Sequence, residues 1–377
     1  MSIQLDPRYQ IEAYNRIRDS LEKTKSAGII MPTGTGKSFL AIKLIEESLE
    51  NNNQILYVSP SPKINVQIRK IIKENYSIEE AKKMLSKIKF TTYHAMQKRL
   101  KKHREDMAEF NSQTIVLDEV HRSGAEEWGK AVDYLLENNP EANVLGMTAT
   151  PLRNDGQDMI KKRCGEVSYE LKVSEAVARG ILKLPIYISA RHISNDEIIS
   201  LEEKLELIED EKERRVLEKK LQKIKKQIEN GQNLSEVYGK HLKPDGKYIV
   251  FCNPGDDIEK LQEQAEKECV FDRVNKKQKY YIVESMRGEE ENQTALDGFE
   301  RKEKDILKLL YAKNMLNEGY HHEDLTGEIM TRPTKSYIVF VQQLGRVLSK
   351  DREETPIVLD LVGNIRYFKE FRLEVQD

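Results

Sequence analysis

Short apolar runs alternate with longer amphipathic stretches along most of this chain, and that alternation leaves few folds open to it. The runs "AGIIMP" (27–32), "QILYVSP" (54–60), "IKFTTY" (88–93), "TIVLDE" (114–119) and "NVLGMTAT" (143–150) last about five to eight residues, and each is followed by a longer segment at helical spacing. Strands that are apolar throughout are buried on both faces, so they predict a parallel sheet covered by helices in an α/β domain. A second series, "GKYIVFC" (246–252), "YYIVES" (280–285), "DILKLLYA" (305–312), "SYIVFV" (336–341) and "TPIVLDL" (355–361), predicts a second domain of the same kind. A length of 377 residues suits two such domains with sequence left over. The expected division is 1–190, then 191–240, then 241–377.

The middle segment has a different texture. From Asp196 to Asn230 there is no Gly or Pro, and Glu, Lys, Leu and Ile dominate. Ile198, Leu201, Leu205 and Ile208 fall at helical spacing, as do Leu217, Leu221, Ile224 and Ile228, and "EDEKERR" separates the two sets. The 3-4 alternation predicts a coiled-coil-like helical insert of two helices, an antiparallel hairpin being one arrangement. Such an insert serves either as a solvated connector or as an arm that touches a nucleic-acid strand or a partner protein.

Charge narrows the function less than pattern does. With 62 basic and 64 acidic residues the formal charge is −2, so net charge does not point to a nucleic-acid partner, and any basic groove must be local. No run approaches the roughly 18 apolar residues of a membrane span. The start "MSIQLDPRYQ" lacks the layout of a secretory signal. Cys164, Cys252 and Cys269 lie far apart with no C-x-x-C, which reads as incidental thiols in a reducing compartment and places the expected protein in the cytoplasm. His94, His103 and His322 share no ligand spacing, so a zinc site is not expected. The cluster "RLKKHR" (99–104) is either a solvated face or a lining of a strand path.

Two stretches carry chemistry. Met31-Pro32-Thr33-Gly34-Thr35-Gly36-Lys37-Ser38 follows the first apolar run and opens a helical one. It keeps the phosphate-loop pattern G-x-x-x-x-G-K-[ST] except that Met31 replaces the first glycine. Gly34 and Gly36 let backbone N–H groups turn toward phosphates, Lys37 reaches the β- and γ-phosphates, and Ser38 ligates Mg²⁺. Asp118 and Glu119 end the apolar strand "TIVL", where ligands of open α/β sheets bind. Asp118 suits the surroundings of Mg²⁺, and Glu119 suits a base that orients the attacking water. ATP and Mg²⁺ are the expected cofactors.

The form "MPTGTGKS" resembles motif I of superfamily 2 helicases, in which the first glycine is often absent. "DEVH" (118–121) resembles their DEAH-type motif II, and "TAT" (148–150) resembles motif III. "RYQIEA" (8–13), "YVSPSP" (57–62) and "TTYHAM" (91–96) look like the Q-type motif and motifs Ia and Ib. "YIVFCNP" (248–254), "NMLNEGYHHEDL" (314–325) and "QQLGRVLS" (342–349) look like motifs IV, V and VI. The texture is similar to the bacterial branch that contains type III and type I restriction motors and related phage or mobile-element helicases.

The resemblance implies two tandem RecA-like domains and an ATP site with contributions from both. Gln10 would recognise adenine. Thr33, Gly34, Thr35, Gly36, Lys37, Ser38 and Asp118 would hold the nucleotide, with Gln342 and Arg346 contributed by the second domain. Glu119, Arg346 and Lys37 would be catalytic, an arginine of this kind being worth on the order of 10³–10⁵ in rate. His121, Thr148, Thr150 and Gly319 would couple hydrolysis to movement. Ser59, Pro60, Thr92 and Thr334 would track a nucleic-acid backbone without reading bases. Two departures stand out: Ser349 replaces the last arginine of motif VI, and His321 stands where motif V commonly has aspartate.

The expected activity is a nucleic-acid-dependent ATPase that moves on or unwinds DNA, the core acting as a monomer. Alternatives are a duplex-DNA translocating subunit of a restriction or phage-defence complex, an RNA helicase, and a slow ATP-gated clamp. The chain shows no nuclease or methyltransferase motif, so those activities would come from a partner or from sequence beyond this chain.

Overall fold

A computed structural model describes residues 3–102, 104–150, 157–189, 205, 210–229, 234–252, 277–313, 324–334, 336–348 and 354–367. The chain divides into two compact units, the first running from the N-terminus to Lys183 and the second beginning at Leu184. Each unit is built on one six-stranded sheet in which every neighbouring pair is parallel.

In the first unit the strands are β1 (Ser26–Ile30), β2 (Ile55–Ser59), β3 (Ile88–Thr92), β4 (Thr114–Asp118), β5 (Asn143–Thr148) and β6 (Val167–Glu170). Their spatial order is β3-β2-β4-β5-β1-β6. Every residue of β2 and β4 is buried, which is why both read as unbroken apolar runs. Helix α1 (Gln10–Thr24) turns Ala13, Tyr14, Ile17 and Leu21 inward and packs on β1 and β6. Helix α2 (Lys37–Glu50) follows β1, α3 (Pro62–Asn75) follows β2, and α4 (Ile78–Lys87) leads into β3. Ser77 opens α4 with a reciprocal pair of bonds to Glu80, so the turn between α3 and α4 satisfies its own donors. Helices α5 (Tyr93–Lys102) and α6 (Glu126–Glu137) share a core with Leu56, Val58, Ile115, Leu117 and Val144. Two short helices, α7 (Met159–Cys164) and α8 (Val173–Ala178), flank β6.

The second sheet comprises β7 (Ile186–Ser189), β8 (Lys247–Phe251), β9 (Lys277–Glu284), β10 (Ile306–Lys313), β11 (Gly327–Met330) and β12 (Ile357–Asp360). Their order is β7-β12-β11-β8-β10-β9, around a core that includes Val250, Leu309, Ile329 and Leu359. Helix α9 (Glu211–Glu229) covers the second half of the expected insert. Of the first half, Ile198, Leu201 and Ile208 lie outside the described residues. Helix α10 (Leu234–His241) sends Val237 and Tyr238 into the core of the second unit. Helix α11 (Glu289–Glu300) follows β9.

The structure corrects one expected strand. "SYIVFV" is not a strand but most of helix α12, Tyr337–Leu344, in which the Ser336 side chain accepts from the Val339 N–H at 3.4 Å. A short, wholly apolar run has no period by which to tell a buried strand from a buried helix. Here Pro333 and Ser336 supply a helix start, and the run continues through Gln342, Gln343 and Leu344 instead of stopping at a turn. Burial overrides the strand preference of its β-branched residues: Phe340, Val341, Gln343 and Leu344 are all enclosed. The place in the sheet passes to β11, "GEIM", too short and too broken by Gly327 and Glu328 to read as a strand. Strand β7 likewise joins the second sheet, beside β12, from ahead of residue 190.

Candidate nucleotide-binding and hydrolysis site

Strand β1 ends at Ile30 and α2 begins at Lys37, so residues 31–36 form a loop between a buried strand and a helix N-terminus. Gly34 and Gly36 sit at φ +83° and +77°, the left-handed region a side chain resists. At Gly36 a Cβ would also lie 2.4 Å from Gln10 Nε2, so the close approach excludes one a second time. The loop is clamped from α1. The Tyr9 hydroxyl donates to Thr35 O at 2.8 Å and Gln10 Nε2 donates to the same oxygen at 3.1 Å. The Asp6 N–H donates to Gln10 Oε1 at 2.8 Å, which fixes the amide's orientation, and Thr35 Oγ1 closes the loop onto Pro32 O at 2.7 Å. No side chain caps α2; the Phe39 N–H donates to Gly36 O at 3.0 Å, and an uncapped helix start directly after a glycine loop is where anions bind. Lys37 is buried there and its ammonium donates to Met31 O at 3.0 Å. Thr33 and Ser38 are half-buried at the rim.

The carboxylates stand where β4 stops. Asp118 is its last residue and is buried; its Oδ2 accepts from the Tyr57 hydroxyl at 2.8 Å and its Oδ1 from the Glu119 N–H at 3.0 Å. Tyr93 Oη donates to Asp118 O at 2.9 Å. Glu119 adopts φ 48° and ψ 52°, a left-handed conformation that costs a non-glycine residue on the order of 1–3 kcal/mol. That backbone turn sends the Glu119 carboxylate back over the sheet's edge, with Oε1 3.9 Å from Lys37 Nζ. The two acids are pushed apart in proton affinity. Burial, then the neighbouring Glu119 charge, raises Asp118 to about 6. Burial pushes Glu119 the same way, but Lys37 and His121 outweigh it and hold Glu119 well below the usual carboxylate range. Glu119 is therefore the member of the pair held more firmly in its charged, acceptor-only form.

His121 and Thr148 complete the cluster. His121 Nδ1 lies 2.8 Å from Thr148 Oγ1 and 3.4 Å from Glu119 Oε2, while Thr148 Oγ1 lies 3.3 Å from the same carboxylate oxygen. The Thr150 N–H donates to Thr148 Oγ1 at 3.1 Å, and the Met31 N–H donates to Thr148 O at 3.0 Å. The phosphate loop, the β4 carboxylates and the end of β5 are thus one bonded network. Among the described residues, the buried Thr150 Oγ1 has no hydrogen-bond partner. This oxygen set fits Mg²⁺, which binds through one or two carboxylates and keeps water and substrate phosphates for its remaining positions. Ser38 and Asp118 would hold it, and among the described residues no three His, Cys, Asp or Glu side chains form a metal cluster of their own.

The expected backbone-contact residues lie at the same edge of the sheet. Ser59 and Thr92 are opposite each other at the ends of β2 and β3. Ser59 is buried with its hydroxyl on Ser61 O at 2.8 Å, and Thr92 Oγ1 accepts from the Ala95 N–H at 3.1 Å, so both hydroxyls shape the turns that follow. Pro60 is half-buried between them and α3.

In the second unit, Thr334 is buried and its N–H donates to Asn364 Oδ1 at 2.8 Å. Gln342 lies in the last turn of α12 and Arg346 in the turn after it, both buried. Gly319, His321 and Ser349 lie outside the described residues. Tyr9, Tyr57 and Tyr93 are the site residues that sequence reasoning missed. Tyr9 sits directly before Gln10 in the first motif, Tyr57 opens "YVSPSP" and Tyr93 lies within "TTYHAM", but nothing in those stretches marks either tyrosine as a partner of Asp118.

Residues 4–153 match the family described as type III restriction enzyme, res subunit. A protein of Sulfolobus islandicus filamentous virus (isolate Iceland/Hveragerdi), named "Putative helicase 22", is 24% identical over 376 residues, which cover 94% of this chain. The chain spans 64% of that relative's length. Among solved structures, the ATP-dependent type ISP restriction-modification enzyme LlaBIII bound to DNA matches 95% of the chain at a TM-score of 0.61 and 17% identity. The match takes in 28% of that larger chain. The Pyrococcus furiosus Hef helicase domain matches 97% of the chain, and 98% of its own, at a TM-score of 0.55 and 15% identity. These likenesses bear out the resemblance to a superfamily 2 helicase-type core and, over residues 4–153, to a restriction-enzyme subunit. They also bear out the two parallel-sheet domains. No helix among the described residues is long and apolar enough to cross a membrane.

Proposed function

We propose that this chain is a nucleic-acid-stimulated ATPase that moves along, or unwinds, DNA. The observation that carries the reading is the single network joining Lys37, Glu119, His121 and Thr148 across the ends of β1, β4 and β5. Lys37 and the first-turn N–H groups of α2 bind the β- and γ-phosphates. Ser38 and Asp118 hold the magnesium ion, which supplies charge neutralisation on the phosphates. Glu119, kept ionised by Lys37 and His121, orients the attacking water and takes its proton. Arg346 stabilises charge on the transferred phosphoryl group, and Gln342 assists it. His121, Thr148 and Thr150 pass the state of the γ-phosphate to the sheet edge, where Ser59, Pro60 and Thr92 shape turns suited to a sugar–phosphate backbone. Contacts of that kind do not read bases, so binding should be salt-dependent and indifferent to sequence.

The deciding experiment is steady-state ATP hydrolysis with no polymer, then with single-stranded DNA, duplex DNA and RNA, using Lys37→Ala as the blank. Stimulation of about tenfold or more by DNA supports the reading, and stimulation by RNA alone moves the track to RNA. Flat hydrolysis near the blank on all four favours a slow ATP-gated clamp.

A second reading is favoured by the match of residues 4–153 to a restriction-enzyme subunit. In it the chain translocates on duplex DNA without separating strands and serves partner subunits that cut or modify. Displacement of a triplex-forming strand without release from a forked duplex would select it.

A further inference from the structure

Asp118 is held by more than its own loop. Tyr57, fully buried in β2, gives its hydroxyl proton to Oδ2 at 2.8 Å, while the Glu119 N–H occupies Oδ1 at 3.0 Å. With one donor on each oxygen the plane of the carboxylate is fixed, and each oxygen keeps a lone pair for another partner. The Tyr57 ring is itself braced. Phe90 of β3 lies 5.7 Å away, and the Arg69 guanidinium sits over the Phe90 ring at 4.1 Å from its centroid. Tyr93 approaches differently. Its hydroxyl reaches Asp118 O, not the carboxylate, and its ring stacks on Trp128 at 5.8 Å and 13°.

A buried tyrosine needs some acceptor, and in most cores any nearby carbonyl serves. Tyr57 instead spends its only proton on the one carboxylate whose direction bears on metal binding. A phenylalanine would fill the same space without the bond.

We propose that Tyr57 is a positioning residue that aims the Asp118 carboxylate at the magnesium ion of the bound nucleotide. The proposal rests on the ATPase reading above and adds to it a residue that no motif contains for that purpose. Outer partners of this kind typically change metal affinity by about 10–100-fold when removed.

The test is Tyr57→Phe, with binding of a fluorescent ADP analogue measured by titration in EDTA and across a magnesium series. The magnesium concentration for half-maximal tightening should rise about tenfold, while affinity in EDTA stays within about twofold of wild type. Tyr93→Phe, which loses only a main-chain contact, should shift the magnesium midpoint by less than about threefold. An unchanged midpoint in Tyr57→Phe overturns the proposal. So does an equal loss of affinity with and without magnesium, which would mean general loosening of the sheet. If Tyr57→Phe does not fold, Phe90→Leu takes its place: it keeps the hydroxyl, removes the brace, and should raise the midpoint by about threefold, no rise being the overturning result. Failure of the wild type to bind the analogue at all would instead sink the ATPase reading itself.

Discussion

In the first unit the charged chemistry stands at strand ends and at the helix start that follows β1, and each group is tied to another: Lys37 to Met31, Asp118 to Tyr57, Glu119 to His121 and Thr148. In the second unit Gln342 and Arg346 ride on the end of a short helix, α12, and the turn after it. A parallel sheet fixes the ends of its strands because every neighbour shares the same register, so side chains there are pre-organised by the core. A two-turn helix is fixed mainly by what it packs against and by its caps. The first arrangement suits groups that must be in place before the substrate arrives. The second suits a group that acts only in the transition state.

This contrast can be broken by experiment. The largest effect should come from the helix. Arg346→Ala is expected to lower ATP turnover on the order of 10³–10⁵-fold while nucleotide affinity stays within a few-fold, as read by steady-state kinetics beside equilibrium binding. Affinity falling as far as turnover would mean that the arginine serves the ground state too. Next is the strand end. Glu119→Gln should cost roughly 10²–10⁴ in turnover and leave ATP bound and uncleaved, detectable as retained triphosphate after rapid filtration. Rapid cleavage in that variant would remove Glu119 from the role of base.

A smaller effect, and of opposite sign for stability, is expected at Asp118. Burial raises its pKa to about 6, so the folded state binds the proton more tightly than the unfolded chain does. Ionising it therefore works against folding, fully above about pH 6 and not at all below the ordinary aspartate value near 3.9. Asp118→Asn should raise the melting temperature of the nucleotide-free protein by about 2–4 °C at pH 8. The gain should fade as pH drops toward 4, and magnesium-dependent nucleotide binding should be lost throughout. Calorimetry at the two pH values checks it.

Ser336→Ala should have the least effect. Removing the cap of α12 costs about 1 kcal/mol, confined to the second unit's unfolding transition. A shift in the first unit's transition would show that the two do not melt separately.

What the sequence made legible follows the same division. The phosphate loop and the DEVH turn could be read because their residues are adjacent in the chain and follow strands whose full burial shows as unbroken apolar runs. Helix α12 was misread because burial erased the period that separates helix from strand, leaving Ser336 and Pro333 as the only contrary signals. Tyr57 opens the quoted stretch "YVSPSP", but its bond to Asp118 could not have been found. Its partner lies 61 residues away, and a tyrosine inside "ILYVS" has no local mark that distinguishes a hydrogen bond to Asp118 from ordinary packing. Gln10 was legible as part of a motif, but its bond to the loop oxygen of Thr35 was visible only in three dimensions.

The strand order of the first sheet also sets the timing of its birth. Strand β1, which delivers the phosphate loop, pairs only with β5 and β6, Ser26 lying opposite Val144 and Gly28 opposite Val167. On a ribosome adding roughly 5–20 residues per second, this strand leaves the exit tunnel on the order of ten seconds before its first partner does. Meanwhile β2, β3 and β4 can already pair with one another. The candidate nucleotide pocket is thus among the last features of its domain to form, although the residues of its loop, 31–38, are among the first to be made.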